Sequence, residues 1–116
     1  MASDQIRAAV SEAGGALPIP LNLDRLRVFC EKWHVTELAL FGSVLRPDFR
    51  HDSDVDFLVS FSDDAHIGLG IVRMQDELRA LVGRNIDLVT RKGIERSRNW
   101  IRRRNILSNA RAIYVR

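Results

Sequence analysis

The chain has 116 residues, of which 46% are hydrophobic, and a formal net charge of +3 at pH 7. This composition is typical of a folded protein with one core and excludes a disordered one. No apolar run approaches the roughly 20 residues that cross a bilayer, and the N-terminus lacks the basic-then-apolar order of a signal peptide. We therefore expect a single cytoplasmic domain over residues 1–116 with no membrane attachment.

The first third of the chain combines helical patterns with turn signals. Residues 4–13 predict a short helix, and residues 17–20, which include two prolines, are expected to be extended or turning. Asn22 is a candidate N-cap for a helix that continues to about His34. The single cysteine, Cys30, falls on the apolar stripe of this helix and is expected to be a buried core residue.

Beyond this helix, strand patterns and helix patterns alternate, which indicates an α/β organisation. The predicted helices cover residues 67–82, with Gly83 as the C-cap, and residues 94–107. The predicted strands are residues 36–41, 54–61, 85–90 and 112–115.

The most informative segment joins the first two predicted strands. Gly42-Ser43 follows the first strand, and ten residues later Asp54-Val55-Asp56 opens the second. Because side chains alternate along a strand, Asp54 and Asp56 point to the same face, where two like charges repel unless a cation neutralises them. Mg²⁺ prefers such oxygen ligands and shares them with substrate phosphates. The alternative is an acidic turn that enters an edge strand, and the preceding Gly-Ser turn favours the metal site.

A third carboxylate interrupts the third predicted strand. Asp87 lies between the apolar Ile86 and Leu88, where a buried carboxylate is costly without a partner. If the third strand lies beside the second, Asp87 comes within reach of a metal held by Asp54 and Asp56. The alternative is an exposed acid on an edge strand.

The pattern Gly-Ser-x10-Asp-x-Asp resembles the signature of the nucleotidyltransferase superfamily of the DNA polymerase beta type, and within it the minimal nucleotidyltransferase (MNT) branch. Pro47 departs from the family pattern, which commonly has glycine there, and we expect it to stiffen the loop. The resemblance covers about residues 35–90 and implies a nucleotidyltransferase fold of the α/β (α+β) class, with a small mixed sheet of three to four strands flanked by helices. The matching residues are Gly42, Ser43, Asp54 and Asp56, together with Phe41, Arg46 and Ser53.

The resemblance also implies an activity. A nucleotidyltransferase of this kind moves AMP from ATP, or NMP from another NTP, to a hydroxyl acceptor and releases pyrophosphate. The implied cofactors are two Mg²⁺ ions, and the implied metal ligands and catalytic residues are Asp54, Asp56 and Asp87. Asp87 is in addition the implied acceptor of the hydroxyl proton.

Three further residues are candidates for binding the nucleotide's phosphates. Gly42 allows a close approach of the backbone, and the Ser43 hydroxyl can donate to a terminal phosphate. Arg46 is a candidate for stabilising phosphate charge. Its alternative role is an ion pair with Asp48 or Asp52.

A lone MNT domain resembles the antitoxin of HEPN–MNT toxin–antitoxin pairs, in which the enzyme modifies a separately encoded HEPN ribonuclease. The resemblance implies AMP transfer to a tyrosine of such a toxin and a hetero-oligomer of the two proteins. Two alternatives stay open. One is a non-enzymatic antitoxin that neutralises its partner by contact alone, and the other is a catalytic subunit paired with a separate substrate-binding subunit.

The basic residues concentrate at the C-terminus. Residues 91–116 hold nine Lys/Arg and one Glu, a net charge of +8, whereas residues 1–90 hold nine Lys/Arg and fourteen Asp/Glu, a net charge of −5. Such a segment favours an anionic partner, and we expect Arg102, Arg103 or Arg104 at the toxin contact. Nucleic acid is the less favoured partner, and a solvated helix face is the structural alternative.

Overall fold

A computed structural model describes residues 19–47, 49–50 and 52–116. The helix predicted over residues 4–13 lies outside the described residues, as do the first two residues of the segment 17–20. In the described part of the chain the strands are β1 (Val35–Phe41), β2 (Val55–Phe61), β3 (Ile86–Thr90) and β4 (Arg111–Val115). The helices are α1 (Leu23–Lys32), α2 (Gly70–Val82), α3 (Arg91–Glu95) and α4 (Trp100–Asn109), with a 3₁₀ helix at Gly42–Leu45.

The four strands form one mixed sheet in the order β3-β2-β1-β4. β1 pairs antiparallel with both β2 and β4, and β2 pairs parallel with β3. The predicted fold class, a small mixed sheet flanked by helices, is therefore confirmed. The parallel pairing determines where the predicted site residues meet, because it places the start of β3 beside the start of β2.

The first two helices begin and end at residues whose local chemistry explains the boundary. The Asn22 side chain accepts a 3.0 Å hydrogen bond from the backbone N–H of Arg25, as expected of an N-cap. α2 ends at Gly83, whose φ of +81° is the left-handed conformation of a helix C-cap. α2 begins at Gly70 and not at residue 67, because Gly68 also has a positive φ, +51°. None of the described helices is long and apolar enough to span a membrane.

One face of the sheet packs against α1 and α2 and forms the main core. Cys30 is fully buried there, which confirms its predicted place, and burial raises the pKa of its thiol to about 12. At neutral pH this cysteine therefore carries no reactive thiolate. Other buried members of the main core are Leu26, Val55, Phe57, Val59, Met74 and Leu78.

The opposite face of the sheet is covered by the C-terminal helices. Ala39, Phe41 and Leu58 are buried there against Ile94 of α3 and Ile106 of α4. Because alternate residues of a strand share a face, the side of β2 that presents Leu58 also presents Asp56. α4 therefore lies over the same face of the sheet as the predicted metal ligands.

The prediction of one helix over residues 94–107 is wrong. The chain forms α3 and α4 separately, and each has its own N-cap: the Thr90 hydroxyl accepts from Gly93 N at 3.0 Å, and the Asn99 side chain accepts from Arg102 N at 3.1 Å. The Ser97 hydroxyl accepts from Asn99 N at 3.2 Å and supports the break. After α4, Ala110 alone connects Asn109 to β4.

Candidate active site

The sheet brings the three predicted carboxylates to one edge. Asp54 directly precedes β2, Asp56 is its second residue, and Asp87 is opposite Asp56 in the parallel pairing of β2 with β3. Neighbouring strands lie about 4.8 Å apart, so the two paired aspartates are close neighbours. Asp56 is half-buried, whereas Asp54 and Asp87 are exposed.

The carboxylates act on one another electrostatically. The pKa of the Asp56 carboxyl is raised above its ordinary value of 3.8, first by partial burial and then by the negative charges of Asp87 and Asp54. The positive charge of Arg102, on α4, opposes this rise. Asp56 thus lies in a locally negative environment that a bound cation would relieve.

The carboxylate oxygens of these aspartates suit a hard divalent cation whose other ligands are phosphate oxygens. Among the residues that the structure describes, no three His, Cys, Asp or Glu side chains already form a metal-binding cluster. Mg²⁺ seldom uses such all-protein cages, because it is usually held by one or two carboxylates plus substrate phosphates and water. Asp56 with one neighbouring aspartate meets that requirement.

Gly42 lies directly against the carboxylate of Asp56. Its φ is +77°, in the left-handed region that favours glycine. A Cβ at this position would collide with Oδ2 of Asp56 and come within 3.3 Å of Cγ. Gly42 is predicted to allow the close approach of phosphates, and the structure adds a second reason for glycine, namely the space that Asp56 occupies.

The segment between Gly42 and Asp54 is held in place by a residue that the sequence analysis missed. The Arg84 guanidinium donates to the carbonyl oxygens of Arg50 and Ser53 at 3.0 and 3.1 Å and lies 4.8 Å from the centre of the Phe49 ring. Asn85 O, next to Arg84, accepts from Val55 N at 3.0 Å. The entry to β3 therefore positions the residues that lead into Asp54, and no spacing rule points to this arginine.

A groove of about 710 Å³ opens beside Asp56, a volume within the usual range for small-molecule sites. One wall contains the predicted Gly42, Ser43, Arg46 and Asp56, and the other belongs to α4, to which the sequence analysis gave no place in the site. Asp54 and Asp87 flank Asp56 outside this lining. The lining residues are Phe41, Gly42, Ser43, Leu45, Arg46, Asp56, Asn105, Ile106 and Asn109.

Comparison with known sequences gives one family and a set of relatives. The pattern of the family described as "Nucleotidyltransferase domain" matches residues 25–113. A 65-residue region is 35% identical to the protein adenylyltransferase MntA of Thermococcus cleftensis. The matched region is 56% of this chain and 65% of that protein, slightly less than two thirds of the relative's length.

Comparison with solved structures gives the same fold. A crystal structure of a toxin–antitoxin with AMP-PNP has a TM-score of 0.61 at 15% identity, covering 83% of this chain and 75% of that one. A complex of tri-AMPylated Shewanella oneidensis HEPN toxin with MNT antitoxin gives a TM-score of 0.52 at 15% identity, covering 80% of this chain and 69% of the matched chain. At such identities the likeness concerns the fold alone.

We expect Gly42→Ala to destabilise the fold more than Gly83→Ala. Both glycines have nearly the same positive φ, +77° and +81°, so both substitutions carry the strain of a left-handed alanine, about 1–2 kcal/mol. A Cβ at Gly83 meets nothing within 4 Å, whereas one at Gly42 meets Asp56. Urea denaturation gives the two losses in the free energy of unfolding, and in an Asp56→Ala background the loss at Gly42 should fall to that at Gly83. Equal losses in the native background would contradict the contact.

We expect Asp56→Asn to raise the melting temperature of the metal-free protein at pH 7. Because the folded-state pKa of Asp56 is raised, its ionisation costs the folded state stability as the pH rises from the ordinary value of 3.8 through the raised pKa. The gain in melting temperature should vanish at pH values below 3.8, where the Asp56 carboxyl is neutral in both the folded and the unfolded state. Asp63→Asn, at an exposed loop carboxylate, is the control and should change little. A lower melting temperature for Asp56→Asn at pH 7 would contradict the stability cost of the ionised Asp56 carboxylate.

Proposed function

The chain belongs to the nucleotidyltransferase domain family, and we propose on this basis that it is a Mg²⁺-dependent enzyme that transfers AMP from ATP to a hydroxyl group. The acceptor that we propose is a tyrosine of a HEPN-type ribonuclease toxin, so that the chain acts as the toxin's antitoxin. The observation that carries the enzymatic proposal is the pairing of Asp56 with Asp87 beside a groove whose lining includes Gly42 and Ser43.

The proposed reaction uses the carboxylates of the sheet edge. When bound at Asp54, Asp56 and Asp87, two Mg²⁺ ions supply charge neutralisation at the phosphates and Lewis acidity. Asp87 accepts the proton of the acceptor hydroxyl while the oxygen of that hydroxyl forms a bond to the α-phosphorus of ATP. The bond from the α-phosphorus to the bridging oxygen breaks, and pyrophosphate leaves.

The Gly42–Leu45 turn and Arg46 are proposed to hold the polyphosphate. Phe41, which precedes the turn, makes no side-chain cap hydrogen bond to it, and the turn residues Gly42, Ser43 and Leu45 line the groove. The Ser43 hydroxyl donates to a terminal phosphate. Arg46, exposed at the end of the turn, adds positive charge at the groove.

The choice of acceptor and partner rests on what the relatives are. The Thermococcus relative is a protein adenylyltransferase, and one structural neighbour contains an AMPylated HEPN toxin with an MNT antitoxin. Their names support AMP as the transferred group and a toxin as the acceptor. We further propose that residues 1–116 act as one domain in a hetero-oligomer with this toxin.

The outward face of α4 is the proposed toxin contact. Of the three arginines expected there, Arg102 acts on Asp56, and Arg103 donates to Ser97 O at 2.9 Å. Arg104 is exposed on the side opposite the buried Ile106. Trp100 lies one turn before Arg104 and is 57% exposed. Exposed tryptophan beside arginine is typical of interface hot spots.

We expect Asp54→Ala to abolish AMP transfer while leaving the fold intact, since it removes an exposed carboxylate. The chain is incubated with ATP, Mg²⁺ and the cognate HEPN-type toxin, and the intact mass of the toxin is measured. Wild type should add one or more AMP units, and Asp54→Ala none. Asp63→Ala, which removes an exposed carboxylate elsewhere, should retain transfer.

The same experiment separates the enzyme from the binding-only antitoxin. Toxin inhibition that persists undiminished in Asp54→Ala, with no mass added by the wild type, would establish neutralisation by contact alone. Mass added equally by wild type and Asp54→Ala would instead refute the role of this carboxylate.

We expect Arg104→Glu to weaken toxin binding about tenfold or more, a loss of about 1.4 kcal/mol or more in binding free energy. Reversing a charge at an interface with an acidic surface replaces attraction by repulsion. Arg73→Glu, an exposed site on α2 across the sheet, makes the same charge change and should leave the Kd within twofold. Calorimetric titration of the toxin measures both. A loss at Arg73 with none at Arg104 would move the interface to the other side of the molecule.

A further inference from the structure

One flank of α4 faces the groove, and it is polar. Arg102, Asn105 and Asn109 are spaced three and four residues apart, which puts them on one side of a helix. We call them the α4 stripe. Asn105 and Asn109 line the groove opposite Gly42 and Ser43.

We propose that the α4 stripe is the nucleotide-binding wall of the groove. In this arrangement Asn105 and Asn109 contact the nucleoside, and Arg102 contacts the polyphosphate. The inference rests on the proposed function and deepens it, because it assigns the part of the site that recognises the nucleoside. The turn on the opposite wall supplies groups for phosphate oxygens and no side-chain amide.

The chemistry of the two asparagines suits a nucleoside. A side-chain amide offers two donors and one acceptor oxygen, which matches the mixed donors and acceptors of ribose hydroxyls and base edges. Nδ2 of Asn109 donates to Asn105 O at 2.8 Å, and this bond orients the amide and leaves its oxygen for a ligand. Asparagine is also a poor helix former, so α4 gains nothing from two of them in its last turns.

The charge of Arg102 fits the phosphate end of the same ligand. Its positive charge reaches Asp56, where it opposes the negative charges of Asp54 and Asp87. An arginine close to a cluster of carboxylates can hold phosphate oxygens beside the metal ligands. The order along α4 then places the phosphates at the Arg102 end and the nucleoside at the Asn109 end.

The test compares two ligands that share phosphates but differ in the nucleoside. Calorimetry with Mg²⁺ measures the affinity of the full chain for AMP-PNP and for inorganic tripolyphosphate. Asn105→Ala, which favours the helix and should fold, is expected to weaken AMP-PNP binding about five- to twentyfold and to leave tripolyphosphate within twofold. Arg102→Ala should weaken both ligands. Ser108→Ala, on the outward face of α4, is the matched control and should change neither.

Two results would overturn the inference. One is unchanged AMP-PNP affinity in both Asn105→Ala and Asn109→Ala, and the other is an equal loss for AMP-PNP and tripolyphosphate in these variants. Either result, with AMP transfer by the wild type intact, removes the α4 stripe but keeps the proposed function. A wild-type chain that binds neither ligand would instead refute the proposed function itself.

Discussion

Three carboxylates at one edge of the sheet repel one another, and partial burial together with this repulsion raises the pKa of the Asp56 carboxyl. Asp56 is the half-buried member of the group, it is paired with Asp87 across the parallel strands, and Asp54 lies two residues before it, directly ahead of β2. The glycine that follows β1 leaves the space into which its carboxylate fits. The negative charge of Asp56 is unfavourable, and the fold tolerates it because one side of this carboxylate stays open to solvent and ligands.

Two supports outside the motif hold this arrangement. Arg84, which precedes β3, donates hydrogen bonds to the carbonyls of the loop that leads into Asp54, so the loop is positioned by residues directly before the strand that supplies Asp87. On the other side, Ile106 anchors α4 against the sheet and brings Arg102 within reach of Asp56. The proposed metal ligands, the proposed phosphate-binding turn and the α4 stripe are thus placed by separate elements that meet at one edge of the sheet.

The sequence predicted the parts of the site that are encoded in contiguous residues. A strand, a Gly-Ser turn and a strand that follows two aspartates fix their own geometry, and the structure brings Gly42, Ser43 and Asp56 together at one groove. The position of Asp87 depended on the condition that β3 lies beside β2, which the structure meets. The metal-binding role of all three aspartates stays a prediction.

What sequence reasoning could not supply depends on tertiary packing or on local caps. The amides of Asn105 and Asn109 line the groove because α4 packs over the sheet, which the local sequence does not reveal. Arg84 contacts carbonyl oxygens of a loop that is distant from it in sequence. The break between α3 and α4 was missed because Asn99 reads as a helix interior unless its side chain is known to accept from Arg102 N. Because α4 begins anew at Trp100, the Trp100 side chain lies on the exposed face of that helix.

The connection of α4 to β4 through Ala110 alone has a consequence for ligand entry. β4 is hydrogen-bonded to β1, and β1 leads directly into Gly42. The α4 wall of the groove is therefore joined to the Gly42 wall by a short path through Ala110, β4 and β1. A single linking residue leaves little slack for the helix to swing away from the sheet. The Asn109 end of the groove therefore has little freedom to widen, because Ala110 tethers it to β4. At this end, selection among ligands would then depend on their shape more than on a closing movement of α4.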